Sequence, residues 1–176
     1  MWTRRGALGA CGALLLARGR AAGVFARDRT AAAAASYCPT ADERQLLTLI
    51  NDYRQKHGKH ALTLSAALGA AAEFHSQDLA KRSRIKGHDL TNGDSARQNL
   101  RRFGFKGNEW GENLAWEAPD AATAFSRWQK SPDHRRNMLN GKFRAIGIGY
   151  FHDSNSPFID YWTTDFGDDG GPGPTC

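Results

Sequence analysis

The sequence is poor in the signals that usually name an activity. It has no Cys-x-x-Cys pair, no His-Glu-x-x-His helix, no Gly-x-Ser-x-Gly elbow and no phosphate-binding glycine loop. The common zinc, serine-hydrolase and nucleotide-binding signatures are therefore absent. No internal repeat is visible, which excludes a solenoid or an array. The apolar run 6-GALGACGALLLA-17 has 12 residues, short of the roughly 20 that a bilayer-crossing helix needs. Positive charge is also scarcer than the net +6 suggests. Six arginines (Arg4, Arg5, Arg18, Arg20, Arg27, Arg29) stand against Asp28 alone in residues 1–35, and the other 141 residues carry 18 basic and 17 acidic side chains. A body that close to neutral has no electrostatic footprint for DNA or RNA, so no nucleic-acid partner is expected.

What is present begins with a leader. Basic 3-TRR-5, the short apolar run and the small residues ending in 31-AAAAAS-36 read as an export signal over residues 1–35, removed near Ala35 or, alternatively, near Ala22. The Arg4-Arg5 pair also suits a twin-arginine signal. The segment 8-LGAC-11 makes a poor lipoprotein box, because apolar sequence continues beyond Cys11. The competing reading is a disordered tail. Export predicts a secreted, periplasmic or cell-surface protein with no transmembrane segment in its mature chain. Cys38 and Cys176 then stand at the two ends of that chain. In an oxidising compartment they can tie the termini together, contributing about 4–5 kcal/mol in the chain-entropy model; otherwise they are two unrelated free thiols.

The remaining residues suffice for one domain, assigned to 36–170, with 171–176 a glycine-rich tail leading to Cys176. Thr40 and Glu43 form a capping box at the start of a first helix, and Gly58 stops it. A second helix, roughly 65–82, sets Leu68, Ala71, Ala72, His75 and Leu79 along one stripe. Residues 83–111 are charged and glycine-punctuated, with only 95-SARQNLRRF-103 helical. Pro119 suits the first turn of a third amphipathic helix that ends at Trp128. Ser131 and Pro132 open a fourth, which places His134 and Met138 on one inward face. Two strand runs finish the domain, 143-FRAIGIGYF-151 and 158-FIDYWTTDF-166. Their Ala145, Gly147 and Gly149 predict a sheet face closely approached by a helix. Helices first and an antiparallel sheet last define an α+β layered domain.

Of six histidines, His57 and His60 read as solvated, and His152 opens a turn without a companion motif. His75, on the buried stripe, reads as a core histidine bonded to backbone or carboxylate, with a ligand role as the alternative. His88, in 86-KGHDLTNG-93, and His134, at a helix start whose dipole disfavours imidazolium, are the candidates for a shared site. Glu112, in a glycine-preceded turn, is the third; it either reaches into a cleft or lies on the surface.

Taken in order, 51-NDYR-54, 86-KGHDL-90 with 92-NG-93, 111-GENLAW-116, 128-WQKSPDHRRNMLN-140, 146-IGIGY-150 and 161-YWTTDF-166 resemble the CAP superfamily of cysteine-rich secretory, antigen 5 and pathogenesis-related 1 proteins, in its compact bacterial form. The resemblance implies a three-layer α-β-α sandwich with a mainly antiparallel central sheet and a central cleft. Longer eukaryotic members hold two histidines and two glutamates there, able to bind a divalent cation. His88 matches the first histidine and Glu112 the Gly-Glu-Asn glutamate. Ser131 stands where the second glutamate falls, and the His-Tyr-Thr motif is missing. His134, from the bacterial Trp-x-x-Ser-Pro-x-His-Arg pattern, is expected to replace its histidine. The implied cleft and metal set is His88, Glu112 and His134, holding one zinc-like cation weakly because three protein ligands leave positions to water. Asn51, Arg54, Asn113, Trp128 and Ser131 match positions that are structural.

The resulting expectation is a monomeric binding domain for an extracellular or cell-envelope ligand: peptide, lipid or glycan. The alternatives are a metal-dependent peptidase or esterase with Glu112 as the catalytic base and a structural or adhesive module.

Overall fold

The computed structural model describes Thr30, Ala33, Ala34, Ser36 and residues 37–176. The expected export signal over residues 1–35, with Cys11, lies outside the described residues apart from Thr30, Ala33 and Ala34.

Among residues 37–176, five helices and four strands follow one another: α1 (Ala41–Lys56), β1 (Thr63–Leu64), α2 (Ala66–Ala80), α3 (Ala96–Arg102), β2 (Trp110–Trp116), α4 (Ala121–Lys130), α5 (Pro132–Met138), β3 (Ala145–His152) and β4 (Asp160–Gly167). The strand order is β1-β3-β4-β2. β3–β4 and β2–β4 are antiparallel, and the two-residue β1 joins β3 in parallel, so the sheet is mixed with an antiparallel centre.

Strand alternation decides what each face meets. Gly147 and Gly149 point at α2, where an added Cβ would fall inside the backbone of Leu68, Gly69, Ala72 and Glu73. The expected close approach is therefore real, and the small stripe of α2 (Leu68, Ala71, Ala72, His75, Leu79) is fully buried against it. Ile146, Ile148, Trp162 and Phe166 point the other way and pack with Leu46 and Ile50 of α1, Trp128 of α4 and Met138 of α5. Helix layers thus cover both faces, giving the three-layer sandwich. Buried Trp128 and Trp162 each place their indole N–H on a carbonyl, of Leu114 and Ala118 respectively, so neither tryptophan buries an unmet donor.

The capping box of α1 is formed as expected, with Thr40 Oγ1 accepting from the Glu43 N–H and the Glu43 carboxylate from the Thr40 N–H. Arg54 is fully buried and ties the α1–β1 connection to the end of α5, donating to the carbonyls of His60 (2.9 Å), Met138 (2.6 Å) and Asn140 (3.1 Å). Asn51 exchanges both amide bonds with the Leu62 backbone. Cys38 and Cys176 are joined in a disulfide with a Cα–Cα distance of 5.5 Å. Next to it Tyr37 is buried in the notch above Gly69 and donates to the Ile148 carbonyl.

Four expectations change. Glu112 is in strand β2, not a turn, because 110-WGENLAW-116 is covered on both faces and shows none of the apolar alternation that marks a half-exposed strand. Pro119 precedes the helix, whose N-cap is Asp120. Ser131 occupies the N-cap position of α5, but its hydroxyl makes no capping bond. Met138 is fully buried while His134 is half-exposed, because a short helix lying along a sheet edge buries only the side of its last turn.

Candidate functional site

The site is built around β2, the edge strand. Glu112 is opposite Asp165 of β4, which is opposite Gly147 of β3, so all three face α2. Helix α2 brings His75 onto this row. Its Nδ1 lies 2.7 Å from Glu112 Oε2, and Nδ1 of His88 lies 2.6 Å from Oε1. A carboxylate only accepts, so both Nδ1 atoms carry the hydrogen. Both Glu112 oxygens are therefore occupied.

The loop bearing His88 is fastened back to α2. Buried Asp78, one turn beyond His75, accepts from Arg82 Nη2 (2.5 Å), from the Thr91 N–H (3.0 Å) and from the Thr91 hydroxyl. Arg82 Nη2 also donates to the Asp89 carbonyl at 2.5 Å. His88 thus sits between two anchored residues and completes a ring of contacts through Glu112 and His75 back to the same helix.

His134 reaches the site from the other side of the sheet. Asn113 Nδ2 donates to its carbonyl (3.1 Å), while Asn137 Nδ2 donates to the Glu112 carbonyl (3.1 Å) and to Asn113 Oδ1 (2.9 Å). These amides clamp α5 to β2. Gly111 makes room for the clamp, since a Cβ there would stand 3.0 Å from Asn137 Oδ1. The half-exposed His134 ring lines a cavity of about 210 Å³ with Leu114, Ala115, Trp116, Arg127, Trp128 and Ser131. The Arg127 guanidinium is fixed at the cavity wall by donating to the carbonyls of Trp116 and Glu117.

The charges follow from this geometry. Burial alone would raise the Glu112 carboxyl, but the hydrogen bonds and charges of His75 and His88 outweigh it and hold it below the ordinary carboxylate range. The bond to Glu112 raises His88 above a free imidazole, against the opposing effect of partial burial. Burial lowers His134, and repulsion from His88 adds to it. Asp165 is pushed well above the ordinary carboxyl value by burial and by the neighbouring Glu112 charge.

His88 and Glu112 are therefore in direct contact, and His134 stands close enough to feel the His88 charge without bonding to either. Among the described residues no group of three His, Cys, Asp or Glu side chains is arranged to hold a metal ion. Both Glu112 oxygens already accept from a histidine and His134 bonds to neither residue, so as placed the implied set does not converge on one point. Of the positions expected to be structural, Asn51, Arg54, Asn113 and Trp128 make the bonds described, whereas Ser131 opens onto the cavity. His75 is the expected core histidine bonded to a carboxylate, that of Glu112, while Asp78 as the anchor of the loop and Asp165 were not anticipated from sequence. The i, i+3 spacing of His75 and Asp78 on the small-residue stripe was a readable signal.

A layered sandwich with an edge-strand Gly-Glu-Asn motif and a histidine from each side defines the class. The model of the CAP family, "Cysteine-rich secretory protein family", matches residues 47–166, and the chain belongs to this family. It is 30% identical over 127 residues to YkwD of Bacillus subtilis (strain 168), covering 72% of this chain and 47% of that protein. It is 30% identical over 110 residues to the membrane protein YlbC of the same organism, covering 62% of this chain and 32% of that one. The chain thus spans less than half the length of these relatives. Among solved structures, an outer surface protein from Borrelia burgdorferi aligns with a TM-score of 0.66 at 22% identity, covering 74% of this chain and 95% of that one. An extracellular protein containing a SCP domain from Bacillus anthracis aligns with a TM-score of 0.64 at 24% identity, covering 76% and 45%. These structures share the fold.

Proposed function

We propose that this protein is an extracellular binding domain that takes one apolar group of a larger peptide, lipid or glycan ligand at the β2 edge. The observation that carries this reading is the cavity beside His134. Its walls are Leu114, Trp116 and Trp128, and its open polar positions are the neutral-leaning His134 ring and the uncapped Ser131 hydroxyl. At about 210 Å³ it is smaller than the roughly 300–1,000 Å³ pockets that enclose a whole drug-sized molecule. One side chain, acyl end or sugar ring is the scale that fits. The extracellular setting is supported by the disulfide and by the family; no described helix is long and apolar enough to cross a membrane. A hydrolase reading is less favoured, because Glu112 is buried and the bonds from His75 and His88 hold its carboxyl below the ordinary range, which makes it a weak base.

The test is a fluorescence and NMR titration with apolar peptides, fatty acids and peptidoglycan fragments. One class is expected to perturb Trp116, Trp128 and His134 together, with affinity lost at least tenfold in His134→Ala and Trp116→Ala variants that melt like the parent. Perturbation confined to other surfaces, or unaltered affinity in both variants, overturns the assignment. A parallel zinc titration, repeated in His88→Ala and His134→Ala, separates a cation requirement from the cavity itself.

A further inference from the structure

Strand β2 is an edge of the sheet and pairs only with β4. Just beyond its two ends the Glu117 N–H donates to the Asp160 carbonyl (2.9 Å), and the Glu109 carbonyl accepts from the Asp168 N–H (3.1 Å). In an antiparallel ladder every second residue points both of its backbone groups at the partner strand. The odd-numbered residues of β2 therefore face β4, and Glu112, Leu114 and Trp116 turn their N–H and C=O groups outward.

The outward carbonyls are all taken. Asn137 Nδ2 holds that of Glu112 (3.1 Å), Trp128 Nε1 that of Leu114 (2.9 Å) and Arg127 Nη1 that of Trp116. The outward N–H groups of Leu114 and Trp116 have no acceptor among the described residues. They lie on the same edge as the capped carbonyls, so the Trp116 N–H sits between the Trp128 and Arg127 caps. Leu114, Trp116, Trp128 and Arg127 all line the cavity of about 210 Å³, together with Ser131, whose hydroxyl makes no capping bond. Among the described residues no Asp or Glu lines it. The backbone thus offers this cavity donors only, beside a fixed positive charge. A donor shut away from solvent stabilises a bound acceptor, and an ionised acceptor most of all.

An extended peptide laid along a strand edge needs acceptors as much as donors, because each of its residues that faces the edge presents both groups. The β2 edge has no free carbonyl left to meet it. A chain end is different, since its carboxylate brings two acceptor oxygens and no N–H. We propose that the cavity captures the C-terminal carboxylate of a peptide, seated on the Trp116 N–H beside Arg127, with the terminal apolar side chain against Trp116 and Trp128. Successive outward N–H groups lie about 7 Å apart, too far for one carboxylate to span, so the Leu114 N–H receives a carbonyl further back along the same peptide. This inference rests on the ligand cavity proposed above and narrows its occupant to an apolar chain end with a free acid.

The test uses the full chain with N-acetyl-alanyl-phenylalanine as the free acid, its amide, its methyl ester, and octanoate. Backbone 15N NMR is expected to show the Leu114 and Trp116 amide protons moving downfield with the acid. The acid is expected to bind at least about tenfold more tightly than the amide or the ester, the scale that separates a charged hydrogen bond from a neutral one. In Arg127→Gln, which removes the fixed charge, that ratio is expected to shrink, and an unchanged ratio overturns the seat beside Arg127. Equal affinities of acid and amide, with Trp128 and His134 still perturbed, overturn the carboxylate while leaving the cavity as a ligand site. Octanoate binding as tightly as the acid overturns the peptide end in favour of a lipid acid. No perturbation of the cavity by any probe overturns both this inference and the ligand cavity on which it rests. The comparison between probes is made on the wild type, so it decides even where the variant fails to fold.

Discussion

His88 and His134 carry the same ring with opposite shifts, and their surroundings explain why. His88 gains a carboxylate partner, so its folded value rises; its contribution to stability is complete below the unfolded value, about 6.5, and disappears as pH climbs through the folded one. His134 gains burial and a like charge, so its contribution has the reverse sign and is lost as pH falls. NMR titration is expected to put the His88 midpoint above that of a free histidine and the His134 midpoint below it. In His88→Ala the His134 midpoint should move upward, because the repelling charge is gone. Coincident midpoints, or no movement in the variant, would contradict the described placement. Composition and motif order were enough to nominate these two histidines and Glu112. They could not show that Glu112 is shared between His88 and His75, because residues 37 positions apart in sequence meet only through the packing of α2 on the sheet.

At the level of elements, α2 against β3 is the contact on which the site depends. Gly147 and Gly149 let the helix backbone lie directly on the sheet, which sets the depth of His75 and so the position of Glu112. Gly147→Ala forces the helix away from the strand and is expected to cost at least about 2 kcal/mol in chemical denaturation, at the upper part of the overpacking range. Gly141→Ala, whose added methyl would find nothing closer than 3.9 Å, should stay within about 0.5 kcal/mol of wild type. Equal effects of the two changes would show that the close approach is not what holds α2. The 83–95 connection, a loop by its composition, is fastened to the end of α2 by Asp78 and Arg82, which hold Thr91 and the Asp89 carbonyl. It therefore acts as part of the site rather than as a passive excursion.

For the whole molecule, the disulfide joins residues separated by 138 positions, close to the full length of the described domain. Crosslinking so long a loop restricts the unfolded chain and contributes about 5 kcal/mol in the chain-entropy model. The Cys38→Ser, Cys176→Ser double variant is expected to lose roughly 10–20 °C in Tm while keeping its native spectra. An unchanged Tm would mean that the buried Tyr37 and the tail hold the termini without the bond.

Much of this architecture is written in short-range chemistry. Capping residues, helix periodicity and the glycine alternation of β3 act over a few neighbours, so α1, α2, α4 and the β3–β4 hairpin are legible from the sequence. The order of the six short motifs pointed to the family for the same reason. Strand β2 was not legible, because a segment buried on both faces loses the polar–apolar alternation that announces a strand. The free hydroxyl of Ser131 and the partial exposure of His134 were decided by how α5 lies along the sheet edge. The pairing of Glu112 with Asp165 was decided by strand register, which sets residues 53 positions apart side by side in a dry interior. Protonation depends on that dryness and on which neighbours face the group, and both are properties of the packed structure alone.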